Sequence, residues 1–188
     1  DTSNVISMDN VFNSCFALTT LNISNWDISK VTSMVSMFHN CSNLTSLDLS
    51  SLDAGKVTDV EEMFCSCSKL ENLILFRGQP KLYRMKGMFH KCNKLKSLDL
   101  NDWDTSDVNS TENLFNSCYA LTTLNISNWN MSKVTSMASM FYSCSGLTNL
   151  DISDWTTSAV TNMSNMFYGC SNLTSLDISD WTTSAVTN

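Results

Sequence analysis

Seven cysteines set the frame of this sequence. Cys15, Cys41, Cys67, Cys92, Cys118, Cys144 and Cys170 recur at one constant interval, shortened by a single position between Cys67 and Cys92, and only Cys65 stands outside the series. A phenylalanine precedes each of them by three residues (Phe12, Phe38, Phe64, Phe89, Phe115, Phe141, Phe167), and a leucine follows each by three, from Leu18 to Leu173. A fixed period of about 26 residues means a stack of small units, each burying its apolar face only against its neighbours. The unit reads V-T-x-M-x-x-M-F-x-x-C-x-x-L-x-x-L-x-I/L-S-x-W-x-x-S-x.

In the first half of each unit, apolar residues recur at steps of three and four, as in Val134, Met137, Met140, Phe141 and Cys144. This spacing predicts one face of an amphipathic helix. A serine two residues before the valine (Ser29, Ser106, Ser132, Ser158) suits its N-cap. The second half, such as Leu147 to Ile152, ends in alternation of large apolar and polar residues and predicts a short strand. About 11 helical residues and about five strand residues both span roughly 16 Å, so one of each closes a coil. Strands about 4.8 Å apart opposite helices about 8 to 10 Å apart would curve the stack, with the strands inside.

The segment Leu95-Lys96-Ser97-Leu98-Asp99-Leu100-Asn101-Asp102-Trp103 resembles the strand motif of leucine-rich repeats, with tryptophan where that family has asparagine or cysteine. Together with M-F-x-x-C-x-x-L in the other half, the unit is similar to the BspA-like leucine-rich repeats of the DUF285 type. The resemblance runs through the whole chain. The expected fold is therefore α/β: a curved, right-handed leucine-rich-repeat solenoid of about seven helix-strand coils with a parallel sheet on the concave face. Right-handedness follows from the crossover rule for parallel strands. Residues 1–188 are expected to form a single repeat domain, a fragment of a longer array with uncapped apolar ends. The resemblance implies an extracellular or cell-surface location and a ligand-binding or adhesive role, with no defined activity.

Composition narrows the function further. The net charge of −7 disfavours nucleic acid and anionic membranes. No apolar run approaches the roughly 18 residues of a membrane helix, so no membrane insertion by this segment is expected. Polarity comes from 30 Ser, 19 Thr and 21 Asn rather than from charge. Some coils are near copies: residues 14–38 match 117–141 at 21 of 25 positions, and 147–162 match 173–188 at 15 of 16. Copied coils present one side chain repeatedly, whereas an active site needs different groups converging once. With two histidines and no Ser-His-Asp arrangement, no enzyme and no cofactor are expected.

Four columns carry the candidate chemistry. The register cysteines are expected to be buried free thiols, because an odd column cannot pair completely and neighbouring helices lie too far apart for a disulfide. The residue after each phenylalanine runs Asn13, His39, Cys65, His90, Asn116, Tyr142, Tyr168. His39, Cys65 and His90 look like zinc ligands, but outer helices roughly 20 Å apart could not share one ion, so no metal is expected there and only a two-ligand surface site stays open. Trp26, Trp103, Trp129, Trp155 and Trp181 are expected to turn inward at a corner of the coil. The strand residues pointing away from the leucines include Asp48, Asp99, Asn125, Asp151 and Asp177, a polar ladder on the concave face. Asp151 and Asp177 are placed close enough to raise each other's pKa or to recruit calcium.

One coil breaks the pattern. Eight of the eleven Lys and Arg residues, the only proline (Pro80) and a one-residue deletion lie between Lys69 and Lys96. Counting one coil back or forward places Lys86 between Glu61 and Glu112, Arg84 by Asp59, Lys96 by Glu71, Arg77 by Asp102 and Lys81 by Asp107. These cations either pair internally or form a docking patch. The expected function is a non-enzymatic surface module that binds a host or neighbouring-cell protein or glycan. Its expected contacts are Asp48, Asp99, Asn125, Asp151 and Asp177 on the ladder, with Arg77 and Lys96 from the irregular coil. The alternative is a structural spacer or stalk that stacks end to end on copies of itself.

Overall fold

The computed structural model describes residues 1–188. Four short strands are present: β1 (Ser46–Asp48), β2 (Asn72–Ile74), β3 (Ser97–Asp99) and β4 (Thr123–Asn125). β1 pairs with β2 and β3 with β4, both parallel, with Leu47 opposite Leu73 and Leu98 opposite Leu124. Each pairing advances by one whole repeat, which is what a stack of coils requires, one strand per turn. In place of one continuous sheet there are two two-stranded sheets. On the opposite side of the coil, isolated parallel bridges link Ser7, Ser33, Asp59 and Arg84 in series, and Ser110, Ser136 and Asn162 in another.

The first half of the unit is not helical, which corrects the expectation of helix-strand coils. Its residues are tied to the next coil rather than to each other. In the second coil, the amides of Met34, Ser36, Phe38 and Asn40 donate to the carbonyls of Asp59, Glu61, Met63 and Cys65 at 2.8–2.9 Å. The intervening residues Met37, His39 and Cys41 close three-residue turns onto Met34, Ser36 and Phe38 at 3.1–3.2 Å. The cause lies two residues on either side of each phenylalanine, where the backbone is left-handed. Asn10, Ser36, Glu62, Gly87, Asn113, Ser139 and Asn165 have φ of 54–61°, and Ser14, Asn40, Ser66, Lys91, Ser117, Ser143 and Gly169 have φ of 57–77°. A helix cannot pass through two left-handed residues four apart, and Asn and Gly are the residues that adopt this conformation most readily. The serines do not cap helices either. The amides of Ser29, Ser106 and Ser132 donate to the side chains of Asp27, Asp104 and Asn130 in short turns at 2.9–3.0 Å.

Loss of the helices removes the width difference that was to curve the stack. Phe12, Phe38, Phe64, Phe89, Phe115, Phe141 and Phe167 form one continuous pile, with centroids 5.3–5.7 Å apart and planes within 12°. That spacing is close to the separation of paired strands, so both sides of the coil rise by similar steps. The periodic residues are nevertheless the core: Val134, Met137, Met140, Phe141 and Cys144 are fully buried. Trp103, Trp129 and Trp155 are buried at the corner as expected, and Phe76 stacks on Trp103 at 5.7 Å in the coil that has glycine in the tryptophan column. The indole N–H groups of Trp129, Trp155 and Trp181 donate to the carbonyls of Leu100, Ile126 and Ile152, one coil back, at 2.8–3.3 Å. Phe12, Leu18 and Leu21 in the first coil, and Phe167, Leu173 and Leu176 in the last, are only partly buried.

Candidate binding face and cysteine ladder

The eight cysteines are free. Six register thiols donate to the carbonyl of the phenylalanine one coil back, from Cys41 to Phe12 through Cys170 to Phe141, at 3.0–3.2 Å. All six carbonyls, at Phe12, Phe38, Phe64, Phe89, Phe115 and Phe141, also accept from the amide of the cysteine in their own coil at 3.0–3.1 Å, so both lone pairs are engaged. Burial holds the thiols protonated, pushing Cys41 up to about 11 and Cys118 up to about 12. These six bonded thiols are structural, and burial makes the sulfurs of Cys41 and Cys118 poor nucleophiles.

The ladder residues occupy the exposed strand face. Asp48 ends β1, Asp99 ends β3 and Asn125 ends β4, each pointing out while the central leucine of its strand turns in. Asp151 and Asp177 wall one open depression of about 400 Å³ with Asn149, Leu150, Ser175 and Leu176. The carboxylates are less free than a bare row suggests. One oxygen of Asp48 accepts from the Ser50 amide at 2.8 Å, that of Asp99 from the Asn101 amide at 3.2 Å, and that of Asp177 from the Ser179 amide and hydroxyl at 3.0 and 2.8 Å. Asp151 accepts from the Ser153 hydroxyl at 3.2 Å. These bonds hold Asp48 and Asp177 below the usual carboxylate range. The expected mutual elevation of Asp151 and Asp177 is therefore corrected for Asp177, whose serine contacts lower its pKa. Ile74, at the same register position in β2, is 54% exposed and is the apolar exception in this row.

Most cations of the irregular coil are spoken for. Arg84 reaches Asp59 at 3.5 Å and Glu61 at 2.5 Å, Lys86 pairs with Glu112 at 3.1 Å, and Lys96 with Glu71 at 3.1 Å. Asp107 receives Lys81 at 2.9 Å and Lys133 at 2.5 Å. Arg77 departs from expectation: it donates to the Ser51 carbonyl at 2.8 Å rather than pairing with Asp102. The internal-pairing account thus holds for Lys81, Arg84, Lys86 and Lys96. Lys91 and Lys94 are exposed and make no ion pair.

Reading one column at a time missed Glu62. It sits three residues before Cys65 and one coil after His39, and its Oε2 lies 3.3 Å from His39 Nδ1. The signal was available, since Glu62 is the single glutamate in a column otherwise filled by Asn, Ser and Gly.

Solved structures similar to this chain share its fold. A leucine rich cell surface protein from Faecalibacterium prausnitzii A2-165 is 19% identical with a TM-score of 0.57, over 91% of this chain and 42% of its own. A leucine-rich repeat protein from Bacteroides ovatus ATCC 8483 is 21% identical with a TM-score of 0.52, over 91% and 46%. Another from Eubacterium ventriosum ATCC 27560 is 17% identical with a TM-score of 0.52, over 80% and 43%. This chain spans less than half the length of each. No curated protein matches it. No helix is long and apolar enough to cross a membrane. The repeat model described as "Mycoplasma protein of unknown function, DUF285" matches residues 1–77 and 83–188, interrupted only where Gly78 and Pro80 break the irregular coil, and the chain belongs to that family.

Proposed function

We propose that the chain is a non-enzymatic, surface-exposed repeat module that binds a protein or glycan of a host or neighbouring cell through its strand face. The observation that carries this reading is the symmetry break on that face. A row of repeated Asp and Asn is interrupted once, by exposed Ile74, in the coil that also carries the cationic cluster. A surface that recognises an asymmetric partner needs such a landmark: an apolar anchor within a polar surround. Asp48, Asp99, Asn125, Asp151 and Asp177 supply outward oxygens around it, with Arg77 and Lys96 at its edge. The cell-surface location rests on the likeness to the Faecalibacterium protein. The depression between Asp151 and Asp177 is open rather than enclosed, which suits contact with a macromolecule over catalysis.

The test is attachment of the purified chain to immobilised matrix proteins and to host cells. The triple variant D99A, D151A, D177A and the single variant I74S are expected to lose at least tenfold in binding while keeping the fold by circular dichroism. Unchanged attachment by both would remove the strand-face reading. The stalk reading is favoured by a different observation: the same Phe and Leu columns lie part-exposed at both ends, ready to receive another coil. Concentration-dependent filaments of the unmodified chain in electron micrographs would favour it.

A further inference from the structure

We propose that His39, Glu62 and Cys65 form a zinc site bridging two adjacent coils. His39 Nδ1, a Glu62 carboxylate oxygen and the Cys65 sulfur lie within 4.8 Å of one another. Tetrahedral zinc with nitrogen and oxygen at about 2.0–2.1 Å and sulfur at about 2.3 Å puts ligand atoms roughly 3.3 to 3.8 Å apart. The His39–Glu62 pair, at 3.3 Å, already has that separation, and side-chain rotation of Cys65 closes the rest.

On helices roughly 8 to 10 Å apart, the three-coil set His39, Cys65 and His90 would span about 20 Å and could not share one ion. The coils are closer, with Phe38 and Phe64, the residues immediately before His39 and Cys65, stacked at 5.6 Å.

Three further observations single out this place. His39 Nδ1 is buried and makes no aligned hydrogen bond, its near polar neighbour being the Glu62 carboxylate at 3.3 Å. Glu62 is held at φ 54°, a left-handed position that the other coils give to Asn, Ser or Gly. A straight-chain acid there breaks the local rule, as residues retained for a site do. Cys65 is the one cysteine outside the thiol ladder, and its sulfur donates to no phenylalanine carbonyl. A set of imidazole, thiolate and carboxylate fits zinc better than calcium or magnesium, which take oxygen ligands. On binding, Cys65 gives its thiol proton to solvent and enters as thiolate. The fourth position is left to water or to His90, whose Nδ1 is likewise buried without a partner and whose ring lines a small cavity beside Glu62. The site would clip the coil of Phe64 to that of Phe38, just ahead of the irregular stretch.

The test is titration of the reduced, metal-free chain with zinc and with cobalt(II). The expected result is one ion per chain and, for cobalt, a thiolate-to-metal charge-transfer band. The variants H39N, E62S and C65N carry residues that other coils place at these positions, so the fold is expected to survive, as checked by circular dichroism. Each is expected to weaken binding at least tenfold, and C65N to abolish the charge-transfer band. In the unmodified chain, zinc is expected to protect Cys65 from alkylation, as mapped by mass spectrometry. Absence of saturable binding, loss by one substitution but not the other two, or unprotected Cys65 at saturating zinc would each overturn the proposal.

Discussion

The coils around residues 110–165 and the coil between Lys69 and Lys96 solve the same stacking problem by different chemistry. In the former, neighbours are joined by uncharged ladders: the Thr135 and Thr161 hydroxyls donate to the Asn109 and Thr135 carbonyls at 3.1 and 3.2 Å, and Trp155 stacks on Trp129 at 6.4 Å. The irregular coil keeps the phenylalanine pile and the thiol ladder but adds cross-coil ion pairs on the surface, Arg84 to Asp59 and Glu61 and Lys86 to Glu112. Neutral ladders accept any coil as neighbour, because every coil offers the same donors and acceptors. Charges of opposite sign at matched positions accept only one order. The difference teaches that cohesion along the stack is generic, while the order of coils is specified by ion pairs concentrated in the irregular coil and continued once beyond it, by Lys133 and Asp107.

The generic part is where the largest loss is expected. Phe64→Ala removes a fully buried ring stacked on both sides and should cost about 3–5 kcal/mol, whereas Phe167→Ala in the half-buried last coil should cost clearly less, both by denaturant unfolding. Equal losses would mean that burial at the centre of the pile is not what separates inner from outer coils. A smaller effect is expected in the thiol ladder: Cys118→Ala deletes one donor and a buried sulfur and should cost about 1–2 kcal/mol. Thiol titration should report eight free thiols after denaturation and slow reaction of Cys41 and Cys118 in the native chain, as their raised pKa values require. Fewer than six thiols without prior oxidation would defeat this account.

The specified part should respond more weakly and in a salt-dependent way. Arg84→Met should cost about 1 kcal/mol, because the guanidinium is half exposed, and the difference should shrink in high salt. Glu61→Arg combined with Arg84→Glu should recover part of the loss, and failure to do so would remove the charge-matching argument. The smallest effect is a pH signature. Lys133 and Lys81 hold Asp107 down to about 2 from 3.8. Its contribution to stability is thus present above the unfolded value and fades as pH falls from about 4 towards 2. Asp107→Asn should flatten the stability profile in that window. Asp59 carries the opposite sign, since burial raises its pKa despite Arg84. Its ionisation therefore costs stability as pH rises, and Asp59→Asn should remove that slope.

What could be read from residues alone was the period and everything that follows from one coil stacking on the next. The core columns, the tryptophan corner, the free thiols and four of the five cation pairings needed only the register. The helix reading failed because Met, Phe and Cys at three- and four-residue spacing face one side of a turn-built coil as well as one side of a helix. The contrary signal was in the polar columns two residues before and after phenylalanine, where Asn, Ser and Gly recur with left-handed backbone. The separation used to exclude one ion shared by His39, Cys65 and His90 inherited the helix error, and Glu62 lay outside the column where the ligands were sought. The proposed binding face was legible as a row of outward Asp and Asn, but not that these carboxylates would fold back onto Ser50, Asn101 and Ser179.

Because each coil hydrogen-bonds upward and downward through the same atoms, a coil has no partner beyond its nearest neighbours. Chain length then becomes a free variable. Exchange between near-identical stretches such as 147–162 and 173–188 would add or remove whole coils, and the new junction would meet the same phenylalanine, thiol and threonine ladders it had before. Such a molecule can vary its reach without redesigning its core. The ion-paired coil at 69–96 is the exception, a fixed landmark that keeps its own neighbours while the uniform coils on either side change in number.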